Sequence, residues 1–310
     1  MLTPTQKKTA EAIVNIFETG SVLGDYSNVT LITGDTGHLT FGRSQTTLGS
    51  GNLGKLLQLY CANPGARFRQ QLTPFLARFA ARDFSLDHEE HLKNILRATA
   101  DDHIMRETQD LFFDQAYWQP AERAATQLGI KTPLGVAVVY DSTVHGSAKL
   151  IRDKTNQSAG TLASLGEQKW IEAYVATRRY WLANHPRKDL RPTVYRMDAF
   201  QRLIDLNLWG LELPLVVRGL EISNTTLNAT PVNCYDGPQP GTRTLSVQAP
   251  LLRGLDIRLV QLGLSKSGIN LRADGIFGNG SVSAVKTFQT KQNLPATGIV
   301  DNALIAKLVS

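Results

Sequence analysis

The sequence predicts a mainly α-helical protein (α+β by virtue of one β-hairpin), with a second, smaller helical module after it. Three observations predict this. Apolar residues recur at helical spacing over most of residues 53–215, a single stretch near residues 29–41 alternates with period two, and residues 219–248 turn to Ser, Thr, Asn, Pro and Gly. With 310 residues, 42% of them apolar and 19% charged, the chain is long enough for two cores. No apolar run approaches the roughly 20 residues that span a bilayer, so no membrane partner is expected. Cys61 and Cys234 allow at most one disulfide, which excludes a cysteine-stapled scaffold.

The elements follow in order. Residues 5–18 place Ala10, Ile13, Val14 and Phe17 on one helical face behind a Thr-Pro start, and Gly20 supplies the stop. Val29 and Leu31, then Leu39 and Phe41, alternate with polar neighbours around Gly34-Asp35-Thr36-Gly37, so a hairpin is expected there. From Leu53 onward the period is helical, as in Leu56, Leu57 and Tyr60 or Trp170, Tyr174 and Trp181, with breaks near Pro120, Pro133 and Pro186. The polar stretch divides the chain into a first domain over 1–218, a linker over 219–248 and a module over 249–310. A linker there predicts that the first domain folds without the tail.

The net charge is +6, and residues 249–310 hold seven cations against three anions. That balance suits a polyanionic partner. No Lys/Arg run or array of stacking aromatics accompanies it, so nucleic acid is not expected.

Hydrolysis of a glycosidic bond needs one carboxyl group to protonate the leaving oxygen and a second to assist water or the developing cation. Glu18, at the end of the first helix, and Asp35, in the hairpin turn, offer such a pair, and apolar Ile16 and Phe17 beside Glu18 would favour its protonated form. On spacing alone the plainer reading, a solvated glutamate and a turn aspartate, stands ahead. His88-Glu89-Glu90-His91 has i,i+3 spacing in a polar stretch with no third ligand, so neither a metal nor another cofactor is expected.

Two resemblances add to this reading. Leu255 to Leu264, Asp274-Gly275-Ile276-Phe277-Gly278, Ser283 to Gln289 and Thr297-Gly298-Ile299-Val300-Asp301 resemble, in order and spacing, the type 1 peptidoglycan-binding domain, a three-helix module. Glu18 followed by Gly34-Asp35-Thr36-Gly37-His38-Leu39-Thr40-Phe41-Gly42 resembles the catalytic hairpin of glycoside hydrolase family 46, the chitosanases, which have a two-lobed lysozyme-like fold. Further matches run through Gly49 to Tyr60, Val139 to Gly146 and Arg196 to Pro214. The resemblance implies an inverting reaction with Glu18 as general acid, Asp35 as general base and Thr40 as a hydroxyl that helps hold the water. It further implies that Asp141, Arg178 and Arg196 form a buried charge relay and that His38, Asn52 and His145 touch the sugar. The plainer alternative for Asp141 and His145, four apart on one helix face, is a satisfied core hydrogen bond.

Asn52 stands where chitosanases have an aspartate that pairs with the cationic amino sugar. A cationic protein is also repelled by polycationic chitosan and drawn to anionic cell wall. The expected activity is therefore a muramidase-type cleavage of peptidoglycan strands, with chitosanase as the alternative and a non-catalytic wall-binding protein as the third reading. Residues Met1–Lys8 lack a signal-peptide core. That predicts release to the periplasm or wall by a holin-type or secretion-system route, as for an endolysin or antibacterial effector, with an immunity protein or a secretion-system carrier as protein partners.

Overall fold

The structure, a computed structural model, describes residues 2–32, 34–43 and 45–309. In chain order the principal elements are α1 (Pro4–Thr19), β1 (Val29–Thr30), β2 (Thr40–Phe41), β3 (Thr46–Thr47), α2 (Asn52–Ala62), α3 (Glu90–Thr99), α4 (His103–Phe113), α5 (Gln119–Leu128) and α6 (Pro133–Val144). There follow α7 (Ala148–Ser158), α8 (Glu167–Ala183), α9 (Tyr195–Asp205), β4 (Leu215–Val217), β5 (Leu220–Ile222), α10 (Leu255–Lys266), α11 (Asn279–Lys291) and α12 (Asn302–Val309). The chain divides into two compact units, one of residues 1–24 with 113–229, the other of 25–112 with 230–310.

In the first unit, α6 is the central element. Every residue from Leu134 to Ser142 is buried, so the helix is apolar on all sides apart from Asp141 and Ser142, and α1, α5 and α8 pack around it. Helix α1 begins where a Thr3–Gln6 capping box satisfies its first N–H groups, and it ends at Gly20, whose φ of 70° is the left-handed conformation that a side chain resists. That stop puts Glu18 in the last turn. Pro133 opens α6 at its first turn as expected, but Pro120 breaks nothing: a π-helical turn over Asp114–Trp118 joins α4 to α5 and Pro120 sits in the first turn that follows.

The second unit begins with a three-stranded antiparallel sheet, β1-β2-β3, in which Thr40 lies opposite Thr30 on one side and Thr47 on the other. The expected hairpin is there with one strand more, because Thr46 and Thr47 carry no apolar alternation to announce β3. A second hairpin, β4–β5 in the first unit, also departs from the single-hairpin reading. Its two-residue turn is Arg218-Gly219, both at positive φ, so Gly219 closes a hairpin instead of opening a linker.

The rest of the expected linker is likewise structured. Cys234 is buried, the Tyr235 N–H donates to Asp101 Oδ1 at 2.8 Å, and Leu245 pairs with Val300 inside the tail's own core. Cys234 and Cys61 are both free thiols. Helix α10 packs on α3 within the second unit, and Leu262 joins the apolar cluster built from Leu53, Leu57, Tyr60, Ile95 and Leu96. Asn94 donates to Leu271 O at 2.7 Å and Ser265 Oγ at 2.9 Å and accepts from the Ala273 N–H. Arg258, 1% exposed, donates to the carbonyls of Arg97 and Asn233 at 2.7 Å and lies 3.2 Å from Asp101. Leu245 to Leu308 thus have a core of their own, and within the second unit that module is seated on the 25–112 segment.

Candidate active site

The first unit holds Glu18 in an ion-pair chain. Arg196, from the start of α9, donates through Nη2 to Glu18 Oε1 at 2.7 Å and through Nη1 to Asp141 Oδ1 at 2.8 Å. Arg178, from α8, donates to the other Asp141 oxygen at 2.6 Å and to Ser142 Oγ at 2.7 Å. Asp141 and Arg178 are fully buried and Arg196 nearly so, whereas the Glu18 side chain is 29% exposed. The burial that would push the Asp141 carboxyl up is outweighed by the two guanidinium groups, which hold it below the usual carboxylate range. Burial alone would lower Arg196, yet Asp141 and Glu18 together raise it.

His145 closes the far end of this chain. Its Nδ1 lies 3.2 Å from Arg178 Nη2, and burial, with Arg196 and Arg178 nearby, lowers its pKa to about 4, so the ring is neutral and accepts from Arg178. Asp141 and His145 are joined by the ordinary helix bond from the His145 N–H to the Asp141 carbonyl, and Arg178 stands between their side chains. Both side chains are thus satisfied within the core through Arg178. Beside Glu18, the Arg196 guanidinium lies over the Phe17 ring at 5.5 Å and the Tyr195 hydroxyl donates to the Phe17 carbonyl, which ties the last turn of α1 to α9.

The second unit holds the other expected residues. Asp35 is exposed in the turn before β2, and its carboxylate makes no ion pair or side-chain hydrogen bond among the described residues. Its Oδ2 lies 3.0 Å from the position a Cβ would take on Gly37, so the missing side chain there leaves room for the carboxylate. Thr40 is 7% exposed and its hydroxyl donates to the His38 carbonyl at 3.0 Å, which fixes the rotor and turns its lone pairs outward from that bond. Asn52 begins α2, with its backbone N–H donating to Ser50 Oγ.

His38 has φ 57°, and two partners fix its ring. Nδ1 lies 2.8 Å from Asp87 Oδ2, and the ring stacks on Phe84 at 3.6 Å between centroids with planes 7° apart. Asp87 also accepts from the Leu39 N–H at 2.8 Å, tying the hairpin to the 84–88 turn. His88 and His91 hold no metal set; among the described residues no group of three His, Cys, Asp or Glu gathers, and His91 Nδ1 faces Ser265 Oγ at 3.2 Å.

Residues 12–215 match the profile of glycosyl hydrolase family 46. The chain belongs to that family. Residues 253–308 match the peptidoglycan binding domain. A chitosanase of Bacillus subtilis strain 168 is 31% identical over 240 residues, covering 72% of this chain and 85% of that protein. Among solved structures, the native chitosanase from Bacillus subtilis MY002 is 28% identical with a TM-score of 0.60, covering 70% of this chain and 96% of its own. A family 46 chitosanase of Gynuella sunshinyii in complex with chitotetraose has a TM-score of 0.61 at 23% identity, over 73% of this chain and 99% of its own, and shares the fold. This family 46 chain is accordingly a glycoside hydrolase of the mainly helical, lysozyme-like class, with a peptidoglycan binding domain after it.

Sequence reasoning passed over Ser142, Asp87, Phe84 and Tyr195. Ser142 was within reach, since it adjoins Asp141 in the matched helix. Asp87 and Phe84 lie in a stretch whose only signals are turn residues, and their pairing with His38 spans more than forty residues.

Proposed function

We propose that this chain is an inverting endo-hydrolase of β-1,4-linked amino-sugar polymers, with a glucosamine polymer as the first substrate to be tested. The observation that supports it most is the Arg178–Asp141–Arg196 array that terminates on Glu18, in a chain 31% identical to a chitosanase. Another related enzyme, a mutant of the Bacillus subtilis MY002 chitosanase, is described as complexed with 6 GlcN.

In this reading Glu18 Oε2, the oxygen that Arg196 leaves open, delivers its proton to the glycosidic oxygen as the bond from C1 breaks. Asp35 takes a proton from water as the water oxygen bonds to C1 from the opposite face. When Glu18 has given up its proton, the charge left on it faces the Arg196 guanidinium at 2.7 Å, and Glu18 and Asp141 together balance the two buried cations. Thr40, whose own proton is committed to a carbonyl, has lone pairs left to accept from the water.

A second reading, hydrolysis of bacterial wall glycan in the muramidase manner, is favoured by particular features. The peptidoglycan binding module is seated in the same unit as Asp35, and Asn52 supplies an amide where an ammonium-bearing sugar would call for an anion. Release by a holin-type or secretion-system route, with an immunity protein, belongs to this second reading.

Incubating the protein with chitosan and with sacculi, then identifying new reducing ends by mass spectrometry, separates the readings. Glu18→Gln and Asp35→Asn should each lower turnover by about 10²–10⁴-fold while the fold persists. Near-normal turnover in both variants would remove the acid and base assignment. The first product seen by NMR should be the α-anomer, and a β-anomer would contradict inversion.

A further inference from the structure

Beside the Asp35 hairpin the second unit places a cation, Arg82, that pairs with no carboxylate among the described residues. Arg82 follows the short helical turn Leu76–Ala80 and adopts φ 53°, held there by bonds from its N–H to the Phe79 carbonyl and from the Asp83 N–H to the Arg78 carbonyl. Its guanidinium is carried over the start of α2, where Nη2 donates to the Ser50 carbonyl at 3.4 Å. A Cβ on Gly51 would lie 3.1 Å from Arg82 Nε and 3.2 Å from Nη2, so the guanidinium occupies the space that a side chain would need.

A run of contacts links this cation to the expected base. Ser50 Oγ bonds to Thr47 Oγ1 at 2.8 Å; Thr47 Cγ2 packs over Gly37, and Asp35 Oδ2 leans over the same Gly37. Asn52 comes one residue after Gly51. Two residues after Arg82, Phe84 is 44% exposed and stacked on His38, which makes a flat apolar wall of the kind that the CH face of a sugar covers. The acids nearby are engaged elsewhere. Asp83 pairs with Arg78 and accepts from Ser85, and Asp87 pairs with His38 and accepts from the Leu39 N–H. Among the described residues no carboxylate lies within ion-pair distance of Arg82.

We propose that Arg82 is a specificity-determining residue: beside Asn52 it favours an N-acylated amino sugar that carries a carboxylate and disfavours one that carries a free ammonium. The inference rests on reading the Asp35 hairpin as a sugar-contacting element and does not depend on which polymer is cleaved faster. A guanidinium with open N–H groups can fork onto a carboxylate, whereas the neutral Asn52 amide has no charge with which to offset guanidinium–ammonium repulsion.

The test uses the full chain as wild type, Arg82→Gln, Arg82→Lys and Arg82→Glu. The substrates are soluble uncrosslinked peptidoglycan strands, the same strands with their carboxylates amidated, and highly deacetylated chitosan. Arg82→Gln should raise KM for the carboxylate strands roughly three- to tenfold with kcat held, leave the amidated strands unaffected, and raise kcat/KM on chitosan. Arg82→Lys should keep part of the preference, Arg82→Glu should invert it, and added salt should shrink every difference. Equal effects on carboxylate and amidated strands, or a lowered kcat with KM unmoved, would mean a structural role and overturn the proposal. If wild type cleaves chitosan alone, the absence of a gain in Arg82→Gln overturns it. Failure of wild type on both polymers would instead defeat the glycosidase reading, and equilibrium binding of carboxylate against amidated strands to wild type and Arg82→Gln would then decide the role of Arg82 separately.

Discussion

Asp141 is itself fully buried and holds two guanidinium groups, so the ion-pair chain of the first unit turns on that one carboxylate. A buried ion set is costly to desolvate and more costly to leave half-made. Asp141→Asn should therefore destabilise the protein by about 3–5 kcal/mol in urea denaturation, because buried Arg178 loses its counter-ion and Arg196 keeps only Glu18. It should also slow turnover, since Arg196 then no longer holds Glu18 from a fixed position; unchanged stability would show that the array relaxes without it. His145 gives a pH signature. Its native pKa, about 4, lies below the usual histidine value, so the unfolded chain binds a proton first. Stability from this group is present above about pH 6.5 and is lost as pH falls toward 4. Thermal melts of His145→Gln should fall less steeply than wild type across that window, and parallel curves would place the titration elsewhere.

At the level of elements, much of the machinery was legible. The Thr-Pro start, the periodic Ala10, Ile13, Val14 and Phe17 and the Gly20 stop give α1 almost to the residue, and with it the position of Glu18. Gly20 has open space around it but φ 70°, so Gly20→Ala should cost about 1 kcal/mol or somewhat more by strain alone, measurable as a lowered Tm without a steric clash. The turn before β2 was equally readable. What the pattern could not give was the third strand, whose threonines have no apolar alternation, and the Arg218-Gly219 hairpin, concealed in a stretch of linker-like composition. The partners of the site were harder still. Asp87 and Phe84 on His38, or Arg82 over Gly51, join residues with no shared period, and only the packed chain brings them together. Asp141, Arg178 and Arg196 were assigned through family resemblance, since periodicity says only that they lie in helices.

For the whole molecule, the question at the tail is how far it is independent of the segment it packs on. Residues 219–248 have a linker's residues, yet the module beyond them is fastened by Asn94, Arg258 and Leu262 to the 25–112 segment. A fragment ending at residue 229 should consequently melt at a lower temperature than the full chain and be cut faster by protease in α3, against the independence that a linker would imply. Equal melting and equal activity on short soluble glycans would restore the independent-domain view. Arg258→Met tests the same seat in the intact chain. It removes the guanidinium's bonds to the Arg97 and Asn233 carbonyls and the cation beside Asp101, whose carboxyl burial already pushes up to about 7, and should cost about 1–3 kcal/mol in urea denaturation.

On a ribosome, residues 25–112 emerge well before the 230–310 segment that completes their unit, and all of 113–229 comes between them. The unit containing Glu18 can close as soon as residue 229 is available, whereas the α3 face that awaits α10 stays open until Leu262 and Arg258 arrive. Bringing Asp101 to Arg258 closes a long loop, and each doubling of loop length costs only about 0.6 kcal/mol, so the delay weighs more on rate than on stability. During that interval the part of the cluster that Leu262 completes, at the Ile95 face of α3, lacks its cover, the kind of surface by which nascent chains aggregate. Yield in a host should then track synthesis of the tail: chains stalled before residue 255 would accumulate as insoluble material, while complete chains would become immune to that fate once α10 has docked.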